Sequence, residues 1–110
     1  MHAPQRKQDL SLPRRRLLEL CQRLNFGRLE AFEIRKGEPF ATPNTRVLRE
    51  LKFPGDNAPR AEAVRPDFAL KAQLVELFVS FDALGNGDVE SLEVKHGLPF
   101  RVVFVEDAAF

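Results

Sequence analysis

Tryptophan and tyrosine are absent from this 110-residue chain, and cysteine and methionine occur once each. Without Trp or Tyr, any stacking on nucleic-acid bases would fall to its ten phenylalanines. The lone cysteine, Cys21, excludes an internal disulfide and any multi-thiolate metal site built within one chain. Long apolar runs are missing as well, and none approaches the roughly 18 residues that a membrane-crossing helix needs. The stretch Met1–Lys7 is basic but has no apolar segment behind it, unlike a secretory signal. These absences lead to the expectation of a cytoplasmic protein with no membrane partner.

What is present is ordinary for a globular domain: 44% hydrophobic and 30% charged residues, with a formal net charge of +1. The length favours one domain with one core. The near-neutral total hides a split. Residues 1–28 hold seven Arg and Lys against two acids, while residues 67–110 hold three against eight. Two such ends can attract each other, face water, or meet partners of opposite charge.

The chain repeats itself. Gly27–Phe40 aligns without a gap on Gly87–Phe100 at an offset of 60, with six of fourteen positions identical. Upstream, Leu17-Leu18-Glu19-Leu20 matches Leu74-Val75-Glu76-Leu77 if three extra residues precede the second glycine. Each unit reads as helix, strand, turn, strand. Ser11 is the expected N-cap of the first helix, with an apolar stripe at Leu17, Leu20, Cys21 and Leu24. Asp67 is the expected cap of the second, with a wider stripe from Leu70 to Leu84 and a left-handed stop at Gly85. Arg35-Lys36-Gly37 and Lys95-His96-Gly97 fit hairpin turns with glycine at a positive-φ position. The second return strand, Phe100–Val105, is uninterrupted, whereas the first is broken at Thr42-Pro43-Asn44 before a further strand candidate at 46–53.

The fold class that follows is α+β: two helix-plus-β-hairpin repeats forming a four- or five-stranded antiparallel sheet with both helices on one face. The expected divisions are a flexible basic terminus at 1–10, repeat one at 11–53, a linker at 54–66, repeat two at 67–106 and a tail at 107–110. The segment Leu17–Leu20, then Leu24-Asn25-Phe26-Gly27 followed by Leu29, Phe32, Ile34 and Gly37, resembles the YezD-like family of very short bacterial proteins. The resemblance covers about one repeat and implies a helix, a Phe-Gly step and a hairpin. It implies no activity.

Candidate sites are few. Glu30/Glu33 and Glu90/Glu93 recur in both units, but a spacing of three on a regular strand puts the members of a pair on opposite faces. A shared metal site would need a bulge, so solvated carboxylates paired with Arg35 and Lys95 are expected. His96, in a turn whose counterpart is Lys36, lacks an evident catalytic partner. Cys21 fits a small buried hydrophobe. Arg14, Arg15, Arg16 and Arg23 could form a basic helix face for phosphates, though Glu19 interrupts it. Phe53, Phe68 and Phe110 lie near element ends and could together form a docking patch. No catalytic, cofactor or metal residues are expected. The expected function is a non-enzymatic protein-interaction module, an accessory or regulatory subunit that docks through a sheet edge or apolar patch. Nucleic-acid binding by the arginine face is the alternative, and homodimerisation by edge pairing is compatible with either.

Overall fold

The computed structural model describes residues 6–55, 57–58 and 70–108. A single 3-10 turn at Lys7–Asp9 leads into helix α1 (Leu12–Leu24) and then strands β1 (Gly27–Arg35), β2 (Glu38–Phe40) and β3 (Arg46–Arg49). Helix α2 (Ala72–Leu84) precedes strands β4 (Gly87–Lys95) and β5 (Leu98–Val105). The α+β class and the antiparallel sheet hold as expected, with the first return strand split into β2 and β3.

Both helices are 13 residues long and keep the offset of 60. The three extra residues assumed upstream of Gly87 are therefore not needed. Leu17 corresponds to Leu77, Leu18 to Phe78 and Cys21 to Phe81, and all six are buried. Ser11 caps α1 by accepting from the Arg14 N–H at 3.4 Å, as its hydroxyl should. Asp67 lies outside the described residues, and the residue flanking α2 is Lys71, with no side-chain cap bond. Residues 7–10 are not a loose tail: Leu10 and the stem of Lys7 are buried, with the Lys7 ammonium 3.6 Å from Glu19.

The helix ends differ from a simple left-handed stop. Asn25 (φ 64, ψ −58) and Gly85 (φ 74, ψ −70) are matching positions. In each case the next N–H turns back to the preceding carbonyl: Phe26 to Leu24 at 2.7 Å and Asn86 to Leu84 at 2.9 Å. Both are γ-turns of the strained, positive-φ kind. They reverse the chain within one residue and deliver it directly into a strand.

The sheet order is β2-β1-β4-β5, with β3 pairing β1 beyond the end of β2. In the central antiparallel pair Gly27 faces Val94, the counterpart of Ile34, and Ile34 faces Gly87, the counterpart of Gly27. The two units thus meet about an approximate twofold relation. Each hairpin turn reaches across it, as the Gly37 N–H donates to the Gly85 carbonyl at 2.7 Å and the Gly97 N–H to the Asn25 carbonyl at 2.9 Å. Lys36 and His96 carry positive φ (51 and 55) and so do Gly37 and Gly97 (78 and 73), the two-residue turn that suits strand twist.

One sheet face is buried. Leu29, Phe32 and Ile34 of β1 and Val89, Leu92 and Val94 of β4 join one core with α1 and α2, so both helices cover the same side. Inward residues three apart need a bulge in each central strand. At β1 Ala31 has φ 59, and at β4 the register against β5 shifts between Val89 and Ser91. Phe81 anchors this core, edge-on to Phe32, Phe78 and Phe104 with centroids 6.0 to 6.5 Å away.

Candidate functional site

The bulge at Ala31 changes the reading of the recurring glutamates. Glu30 and Glu33 share the open sheet face, because the bulge restores alternation between them. They are nevertheless neutralised one by one: Arg28 lies 2.9 Å from Glu30, and Arg35 lies 2.6 Å from Glu33. Glu93 meets Arg101 at 3.9 Å rather than the expected Lys95. Lys95 instead sits 4.0 Å above the Phe100 ring, and Arg35 likewise covers Phe40 at 5.3 Å. Among the described residues no three of His, Cys, Asp and Glu converge into a metal-binding group.

The four arginines do not form one face. Arg14 is buried, and its guanidinium donates to the Gly37 carbonyl at 2.8 Å and to Asp82 at 2.5 Å, with Glu38 3.7 Å away. The ring of Phe78 lies 5.2 Å from the guanidinium carbon. An arginine so engaged is a structural tie between α1, the first hairpin and α2, and it is not available to a phosphate. Arg15 folds back on the carbonyls of Gln8 and Leu10. Only Arg16 and Arg23 are exposed. Gln22, on the same helix, is buried too. The inward face of α1 therefore includes positions 14, 18 and 22, and Leu20 is left beside the sheet edge.

Of the proposed phenylalanine patch, Phe53 is 84% exposed, while Phe68 and Phe110 lie outside the described residues. His96 packs edge-on against Phe26, with ring centroids 4.8 Å apart. Cys21 is fully buried, and burial pushes its thiol up to about 12, so it is an inert core group at neutral pH.

The feature that sequence reasoning missed is a groove of about 290 Å³ between α1 and the broken edge of the sheet. Pro13, Arg16, Leu17 and Leu20 form its helical wall, and Leu29 and Phe32 form its floor. Pro39, Phe40, Ala41 and Thr45 close the other side. The groove is a built feature rather than a frayed strand. The Ala31 carbonyl, turned by its positive φ, accepts from the Thr45 hydroxyl at 2.7 Å and the Thr42 hydroxyl at 3.2 Å. The Thr42 N–H in turn donates to the Thr45 hydroxyl at 2.8 Å. These side chains stand where ladder bonds would be, so the chain leaves the sheet for one turn and opens a groove above Leu29 and Phe32, which themselves stay buried. The interruption at Thr42-Pro43-Asn44 was the sequence signal for it.

Its counterpart between α2 and β5 holds about 190 Å³ and is chemically different. Glu76 replaces Arg16, Ser80 replaces Leu20 and Arg101 replaces Ala41. One groove is apolar with a cation on its rim, while the other mixes apolar residues with Gln73, Glu76, Ser80 and Arg101. Comparison with protein-family models, with curated proteins and with solved structures gave no match.

Proposed function

We propose that this chain is a protein-interaction module, a small accessory or regulatory subunit, that docks its partner through the groove beside the broken edge. The observation that carries the reading is the difference between two equivalent grooves: the one beside the broken edge is larger and lined almost wholly by apolar side chains, while the other carries Glu76, Ser80 and Arg101 among its apolar residues. Apolar concavities with a single charged group on the rim suit an apolar peptide segment bearing a carboxylate. Arg16 supplies that charge, since it forms no ion pair among the described residues. Burial of Arg14 and the backbone bonds of Arg15 leave the nucleic-acid alternative without its basic face.

Selection from a displayed random-peptide library tests the reading. The wild-type chain is expected to enrich aliphatic or aromatic peptides that carry Asp or Glu. The triple variant R16E/L20S/A41R, which copies the second groove into the first, is expected to lose them while keeping its circular dichroism spectrum. Absence of enrichment, or peptides held equally by the variant, would exclude the groove as a docking site.

A further inference from the structure

The two edges of the sheet are guarded differently. One edge is β2 and β3, only three and four residues long, separated by a turn and carrying Pro39 and Pro43 at or near the break. Short strands, interruptions and prolines are devices that keep an edge from pairing with another chain. The other edge, β5, has eight residues, one charge, and its only proline at the second position, against Val94. Among the described residues no strand occupies its free side. Its open-face side chains Val103 and Val105 are 37% and 53% exposed.

We propose that a second copy of this chain pairs antiparallel with β5, joining the two five-stranded sheets into one. The charge pattern of the edge favours a copy over an unrelated strand. Arg101 lies near the start of the edge, and Glu106 and Asp107 follow its end. Antiparallel pairing centred on Phe104 keeps like faces together and sets each copy's Arg101 opposite the other's Asp107, next to Glu106, twice over by symmetry. It also gathers Val103 and Val105 of both copies on the open face, where cross-strand pairs of β-branched residues stabilise a ladder. The contact is self-complementary and closes on itself, as a twofold dimer requires. It lies at the edge away from the peptide groove, so neither proposal depends on the other.

Sedimentation equilibrium tests it. The wild-type chain is expected to run at twice its 12.5 kDa mass. Val103→Lys sets two like charges near the twofold and is expected to raise the dimer dissociation constant at least tenfold, with folding checked by circular dichroism. Arg101→Glu is expected to weaken the dimer, and R101E/E106K/D107K to restore it, because both partners of each new pair are then reversed. A wild-type monomer at millimolar concentration would overturn the proposal. So would a dimer indifferent to Val103→Lys, or a triple variant that stays as weak as R101E.

Discussion

The two helix–hairpin units agree in their frame and differ in what they place on it. Helix length, γ-turn, two-residue hairpin and central register match position by position. The differences fall into two sets. In the first unit Arg14, Glu38 and the opposing Asp82 make a partly buried ionic cluster, whereas the matching positions hold Leu74, Leu98 and Gln22. Likewise the first return strand is broken and opens an apolar groove, while the second runs unbroken and has no partner strand on its outer side among the described residues. The frame is set by turns and alternation that both units carry. Function, on our reading, resides where they diverge, with one unit offering a groove and the other an edge.

The largest expected effects come from the core. Phe81→Ala should cost about 3–5 kcal/mol in urea unfolding, because a buried ring with three aromatic neighbours leaves a large cavity. Its counterpart Cys21→Ala should cost only about 1 kcal/mol. Equal losses would show that the halves do not share the core as unevenly as the packing indicates.

Next come the two strand-opening glycines. Gly27 has φ 150, and a side chain there would collide with the Leu48 carbonyl of β3. At Gly87 an added methyl would meet only Leu84 side-chain carbons at 3.2 to 3.4 Å. Gly27→Ala should therefore cost about 2–4 kcal/mol and loosen β3, seen as faster amide exchange at 46–49. Gly87→Ala should stay within about 1 kcal/mol. A Gly27→Ala variant with full protection in β3 would refute the close approach.

The ionic cluster gives a third, smaller effect. Arg14→Leu alone should lose about 1–3 kcal/mol, since the Gly37 carbonyl and Asp82 lose their donor and Glu38 loses its nearby positive charge. R14L/E38L/D82Q, which copies the second unit entirely, should recover most of that loss. Failure to recover would mean that the arginine does more than tie the two halves together.

A pH effect separates the same pair of core positions. The thiol of Cys21 is held protonated by burial, its folded value raised from 9.0 to about 12. A raised value means that the stability it contributes is complete below pH 9 and is lost as pH rises toward 12. Relative to Cys21→Ala, the wild type should lose about 1 kcal/mol between pH 8.5 and pH 10. Identical pH profiles would show that the thiol ionises in the folded state. Smallest of all, Gly85→Asn should change stability by less than about 1 kcal/mol, since an added Cβ there meets no atom within 4 Å and Asn25 already holds the matching positive-φ turn.

Much of this was legible in the sequence because its signals are local. Lys36-Gly37 and His96-Gly97 specify their turns, and the repeated Pro-Phe after them marks the return. The bulges were also legible in principle. The inward residues Leu29, Phe32 and Ile34, and likewise Val89, Leu92 and Val94, break strict alternation at the same step in both units. The candidate site was less so. A run of three arginines reads as a solvated face, and nothing near Arg14 in the sequence points to Asp82, 68 residues away. The groove likewise depends on how far Thr42 and Thr45 pull the chain from the sheet.

By itself the sequence determined the elements, their pairing into two like units and the face each strand turns inward, because these follow from backbone propensity and a period of two or 3.6 residues. Tertiary structure alone decided that the units would clasp turn to helix cap, that Arg14 would be buried, and that one edge would open as a groove while the other ran on as one long strand. Those outcomes rest on hydrogen bonds, ion pairs and close approaches between distant residues, which exist only once the chain has folded upon itself.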